Sequence, residues 1–166
     1  MALFEPLFKA LNDADVRYIV VGGVAVVLHG YARLTVDIDL VVDLAAEQAT
    51  KTIDVLTNLG LRPRVPVDAG EFASQDKRDE WIREKNMSVF TMLDPANPMR
   101  QVDLFVEPPI EFSRLWSRSE EVELEHTRVR VACIADLIEM KQIAGRPQDL
   151  ADIEALRKLS DEREDE

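Results

Sequence analysis

A single cysteine, Cys133, occurs in 166 residues. That excludes an internal disulfide and a metal site built from cysteines, and leaves Cys133 as a small buried hydrophobe. Long apolar runs are missing too. The longest, Ile19–Leu28 and Leu40–Ala46, are broken by Gly or Asp. Both fall well short of the roughly 20 residues of a membrane span. The first residues, Met1 to Pro6, show neither the basic start nor the cleavage site of a secretory leader, so a cytoplasmic location without membrane contact is expected. Positive charge is scarce: 20 Lys and Arg stand against 32 Asp and Glu, a net charge of -12. Proteins that grip a long phosphate backbone carry a basic face, so nucleic acid is not an expected general partner. What is present, 46% hydrophobic and 31% charged residues, is the balance of one globular domain with a real core. That domain is placed at residues 1–160, with 161–166 expected to be a frayed acidic tail.

Hydrophobic periodicity supplies the elements. Leu3, Leu7, Phe8 and Leu11 predict a first helix over 3–12. Val16–Val21 reads as a buried strand ending in a Gly-Gly turn, and Val24–Leu28 as a short helix closing near Gly30. Val36–Val42 is a strand, and Ala45–Leu59 a helix stopped by Gly60. Asp76–Lys85 suggests a further helix. Met87–Leu93 and Val102–Val106 read as strands joined by the turn Asp94-Pro95-Ala96-Asn97-Pro98. Phe112–Trp116 suggests one helical turn. Val122–Leu124 and Val129–Val131 alternate like half-exposed strands, Ile134–Ala144 is a helix, and Pro147 or Gln148 opens a last helix through Leu159. The fold class expected is α/β (α+β): a mixed, twisted sheet with helices on one side and a C-terminal helical pair.

Chemistry concentrates on two strands. Asp37 and Asp39 are two apart in Val36-Asp37-Ile38-Asp39-Leu40, so a strand turns both carboxylates to one face. Asp103 sits in the similar run Val102-Asp103-Leu104. Asp is disfavoured in strands, and a charge beside a core is costly unless paired or bound to a metal. The three acids therefore point to a divalent cation, Mg²⁺ or Mn²⁺, that keeps waters and substrate phosphates in its shell. Two such ions can clamp the attacking and leaving oxygens of a phosphoryl or nucleotidyl transfer. The alternative is that the acids cap turns or pair with arginine. Gly22-Gly23 lets a phosphate approach the backbone, and a helix starting there would offer free N–H groups.

Gly22-Gly23, thirteen intervening residues and Asp37-Ile38-Asp39, with Asp103 as a third strand acid, resemble the signature of the DNA polymerase β-like nucleotidyltransferase superfamily. The wider wording from Gly22 to Leu40 looks like the small bacterial nucleotidyltransferases grouped with the abortive-infection, type IV toxin enzymes. So does the closing stretch Asp136–Lys141 followed by Arg146–Ile153. The resemblance implies a metal-dependent transfer of a nucleoside monophosphate from a nucleoside triphosphate to an acceptor hydroxyl, with release of pyrophosphate. Asp37 and Asp39 would hold metal and triphosphate, and Asp103 a second metal while helping to deprotonate the acceptor. Gly22 and Gly23 would meet phosphate through the backbone. Relatives with Gly-Ser carry a hydroxyl that Gly23 cannot supply. The acceptor is left open among a protein, a small molecule such as an aminoglycoside, and a tRNA end, ranked last on charge. Two other readings stay open: a component of a toxin–antitoxin or regulatory complex with little catalysis, and a metal-dependent phosphohydrolase. At this size a protein partner or a homodimer mate is expected to complete the cleft.

The cations available for phosphate are Arg33, Lys141 and Arg146, with Thr35 beside Arg33. Each could instead be an acid's partner. Asp149 and Asp152 either orient these cations or pair ordinarily at a helix start, the structural reading being favoured for Asp152. His29 is expected to be buried and bonded to backbone rather than catalytic. His126 is expected in a solvated turn. Trp81 and Trp116 are expected to be packing anchors, with stacking of Trp81 on a base as the alternative.

Overall fold

The computed structural model describes residues 3–166. Among them are seven helices and seven strands: α1 (Glu5–Asp13), β1 (Tyr18–Val21), α2 (Gly22–Leu28), β2 (Asp37–Val42), α3 (Ala46–Asn58), β3 (Arg62–Pro63), α4 (Gln75–Lys85), β4 (Val89–Asp94), β5 (Asn97–Phe105), α5 (Phe112–Arg118), β6 (Glu120–Glu123), β7 (Arg128–Val131), α6 (Ile134–Ala144) and α7 (Pro147–Glu164). The strands form one open mixed sheet in the order β3-β4-β5-β2-β1-β7-β6. The two pairs that matter most are β1 against β2, antiparallel, and β2 beside β5, parallel.

Alternation on β2 divides the sheet. Ile38 and Leu40 are buried, whereas Asp37 and Asp39, pointing the other way, are only half-buried. The face of Ile38 and Leu40 is sealed. There Phe8 of α1 stacks on Tyr18 with centroids 6.2 Å apart, and Trp81 of α4 stacks on Phe90 at 5.1 Å. Helix α3 buries Ala49, Thr52, Ile53 and Leu56, a stripe at helical spacing. Trp81 is thus a core anchor, and the alternative of a base-stacking Trp81 is ruled out by its place in this layer.

Helices do not keep to one side. Arg17 precedes Tyr18 in the chain, and its guanidinium lies 5.3 Å from the Phe112 ring and 4.8 Å from the Trp116 ring of α5. Arg130 covers Trp116 at 4.4 Å. Helix α5 thus packs on two guanidinium groups, a cationic contact that apolar periodicity does not signal.

Two of the expected element boundaries moved by five residues, the others by two at most. β5 begins at Asn97, five residues earlier than periodicity suggests, because the Asp94–Asn97 turn is tight, the polar Gln101 pairs with Leu93 of β4, and the Arg100 side chain bonds Asp94 at 3.4 Å. Helix α7 continues to Glu164 rather than fraying after Leu159. Arg163 holds its end, bonding Glu120 at 3.2 Å and His29 Nδ1 at 3.2 Å. No helix among the described residues is long and apolar enough to cross a membrane.

Candidate active site

Register, not sequence proximity, assembles the acids. The parallel pairing of β2 and β5 sets Asp39 directly beside Asp103 and Asp37 beside Gln101. Directly paired residues share a face, so the three carboxylates lie on the unsealed side of the sheet. On the other flank, Val21 pairs with Asp39, so the chain leaves β1 for α2 right beside that carboxylate. Gly22 opens α2 at φ +66, and a Cβ there would stand 2.0 Å from Asp39 Oδ2. The first glycine is thus demanded twice, by its left-handed backbone and by the acid packed on it. The second is demanded by the loop before β2. A Cβ on Gly23 would meet Thr35 Oγ1 at 2.7 Å and the Arg33 guanidinium carbon at 3.4 Å.

The cations arrive from the C-terminal pair. Lys141, on α6, is buried, and its Nζ donates to Asp152 Oδ2 at 2.7 Å and to Asp149 Oδ1 at 3.5 Å. Arg33 also donates to Asp152 Oδ2, and Gln148 Nε2 reaches Asp152 Oδ1 at 3.3 Å. Arg146 Nε donates to Asp149 Oδ2 at 2.8 Å, and the Arg146 backbone N–H caps the same oxygen at 3.0 Å. All three expected cations therefore have acid partners. Asp152 is fully buried between two of them. Its partners are two of the candidate phosphate cations, and its reach back to Arg33, 119 residues away, ties the acid-strand loop to the helical pair.

Electrostatics show a site with excess negative charge. Burial, then Asp103, then Asp37 push the Asp39 carboxyl up to about 7, against the pull of Arg146 and Lys141. Burial also raises Asp103, with Asp37 adding to it. Opposing this, Thr91 Oγ1 donates to Asp103 Oδ1 at 2.6 Å, Gln101 Nε2 donates at 3.3 Å, and Arg64 holds the Gln101 amide oxygen. Burial would raise Asp149 as well, but the bonds from Arg146 outweigh it and hold that carboxyl low. Thr91 and Arg64 escaped sequence reading because they act from outside Asp103's own strand, whereas Gln101, two residues before Asp103 on β5, shares its face by the strand period.

The donor set suits a hard divalent cation: all-oxygen, on one face, with unrelieved like-charge repulsion that such an ion would cancel. Among the described residues no group of three His, Cys, Asp or Glu side chains is arranged to hold an ion by itself. Asp103 is turned to Thr91 and Gln101 instead, so substrate oxygens would have to complete any shell. Beside these acids runs a cleft of about 470 Å³, bordered by Gly22, Asp39, Asp103, Lys141 and Arg146. A larger hollow of about 900 Å³, beside Arg17 and Trp116, touches none of these residues.

His29 takes no part. It is buried at the end of α2, its Nε2 lies 2.8 Å from the Ala132 carbonyl, and its Nδ1 accepts from Arg163. That pairing makes Nε2 the protonated nitrogen of a neutral ring. His126 is solvated as expected, although its backbone N–H donates to the buried Glu5.

A family model described as "Nucleotidyltransferase of unknown function (DUF6036)" matches residues 1–162. No curated protein sequence matches the chain. Solved structures do, at the level of fold. The lincosamide antibiotic adenylyltransferase LnuA, bound to lincomycin, is 19% identical, with 95% of each chain covered and a TM-score of 0.63. The ANT(2'')-Ia complex with adenylyl-2''-tobramycin is 14% identical, covering 96% of this chain and 91% of that one at a TM-score of 0.61. A putative nucleotidyltransferase from Thermotoga maritima is 15% identical, covering 97% and 92% at 0.59.

Proposed function

The chain belongs to the DUF6036 nucleotidyltransferase family, and from that premise we propose that it transfers a nucleoside monophosphate from a nucleoside triphosphate to the hydroxyl of a small molecule, releasing pyrophosphate. One observation carries the reading: Asp39 lies in register with Asp103, under the glycine that opens α2. Asp37 and Asp39 would hold Mg²⁺ or Mn²⁺, which when bound neutralises the triphosphate and the charge that develops in transfer. The backbone of Gly22 and Gly23 receives phosphate oxygens, and Lys141 and Arg146 supply positive charge from the opposite wall. Arg33 and Thr35 close the loop over Gly23. Asp103, raised by burial, accepts the proton of the acceptor hydroxyl. A small molecule is favoured over a protein or a tRNA end by the cleft, whose volume lies in the range of small-ligand pockets. The names of LnuA and ANT(2'')-Ia support the same class.

The test is incubation with each labelled NTP, Mg²⁺ and a cell extract, followed by identification of the labelled molecule. Pyrophosphate release with label in a small molecule supports the proposal. Inorganic phosphate without label transfer selects a phosphohydrolase and overturns it. Calorimetry should show NTP binding that requires Mg²⁺ or Mn²⁺ and disappears in folded Asp37→Ala and Asp39→Ala proteins.

A further inference from the structure

We infer that the acceptor is a compact, largely apolar molecule with its reacting hydroxyl at one end and a single cationic amine at the other, bound between Phe105 and helix α6 with the amine at Glu107. This rests on the nucleotidyltransferase reading and adds the acceptor's chemistry to it.

The direction of attack follows from strand order. Across the sheet the sequence is β1, β2, β5, β4. The glycines stand at the end of β1, the acid pair on β2, Asp103 on β5 and Val89 on β4. In phosphoryl transfer the attacking and leaving oxygens lie roughly in line. A triphosphate anchored at the β1 side leaves its pyrophosphate there, so the hydroxyl enters from the β5 and β4 side, past Asp103.

That side is apolar on both walls. Val89 and Phe105 form a directly paired couple on the sheet, and Leu137, Met140 and Ile143 face the cleft from α6. Ile143 is 60% exposed at the rim, and a bound apolar body would cover it. Beyond Phe105 the wall ends at Glu107, which is exposed and forms no ion pair among the described residues. It lies four positions beyond Asp103, a span of at most about 14 Å. Among the described residues Glu107 is the one carboxylate that lines the cleft beyond Asp103, so a single positive charge is matched and a polycation is not. The net charge of -12 draws a cation towards it.

The experiment uses a biphenyl carrying a hydroxymethyl group at one end and an aminomethyl group at the other, and its analogue with methyl in place of aminomethyl. Both are titrated by calorimetry into the full chain saturated with Mg²⁺ and an α,β-methylene NTP. The amine probe should bind at least tenfold more tightly than the methyl analogue. Glu107→Gln should erase that difference, and Phe105→Ala should weaken both probes at least fivefold while the NTP dissociation constant stays put. Equal affinity for the two probes overturns the inference, as does binding of neither to the NTP-loaded protein. So does a Phe105→Ala loss that falls on NTP affinity, which would give the cleft to the base. Failure of every NTP to bind is read in a separate first titration and sinks the nucleotidyltransferase reading itself.

Discussion

Gly22 and Asp39 occupy each other's space: the carboxylate Oδ2 lies 2.0 Å from where a Cβ on Gly22 would be. The glycine pair and the acidic strand are therefore one unit, although sixteen residues separate them in the chain. Gly22→Ala should cost about 1–3 kcal/mol from the positive φ alone and swing Asp39 away. Urea denaturation should show the loss, and NTP binding should fall with it. In an Asp39→Ala background the same substitution should cost less, since the two sites are coupled.

The acid pair should make the ligand-free protein pH-sensitive. Asp39 is raised from 3.8 to about 7 on folding, so the folded state binds this proton more tightly than the unfolded one. Its contribution is fully present below about pH 4 and is lost as pH rises through about 7. Asp39→Asn should therefore stabilise the ligand-free protein at pH 8, by at most about 4 kcal/mol, and have little effect at pH 4. Mg²⁺ with NTP should restore wild-type stability at pH 8 by binding only the folded state. Denaturation curves at the two pH values, with and without ligand, check both signs.

Asp152 is predicted to matter more than any single cation it holds. Asp152→Ala leaves buried Lys141 and the Arg33 guanidinium without their shared acid, and breaking a buried pair of this kind costs about 3–5 kcal/mol. The variant should lower the melting temperature and weaken NTP binding. Restoring stability with Lys141→Met in the same protein, without restoring NTP binding, would separate the two effects.

His29 and Trp81 should behave as packing residues. Trp81→Ala removes the ring stacked on Phe90 and should cost about 3–5 kcal/mol. His29→Phe breaks the bond to the Ala132 carbonyl and should cost about 1–3 kcal/mol. At temperatures where both proteins remain folded, NTP affinity should equal that of the wild type by calorimetry.

What could be read from residues alone divides along physical lines. The face shared by Asp37 and Asp39 follows from the period of a strand, and Ile134–Ala144 announced itself by its apolar spacing and closing glycine. Asp103 required a strand neighbour, and its alignment with Asp39 is a tertiary fact. Thr91 and Arg64 could not be found, because bonding from another strand or loop leaves no mark in local sequence, while Gln101 shares Asp103's strand and face. The length of α7 was missed for a related reason. Its charged last turn looks like a solvated tail, yet Arg163 pins it through His29 and Glu120.

The alternation along β2 also guards the folding of the protein. If β2 paired one residue out of step, Ile38 and Leu40 would turn to solvent while Asp37 and Asp39 entered the sealed layer beneath α1, α3 and α4. Two unpaired carboxylates there would be prohibitive. The residues that make the strand reactive thus also penalise its misfolded register, so replacing both with leucine should yield a chain that is harder to fold correctly even as each native contact grows more apolar.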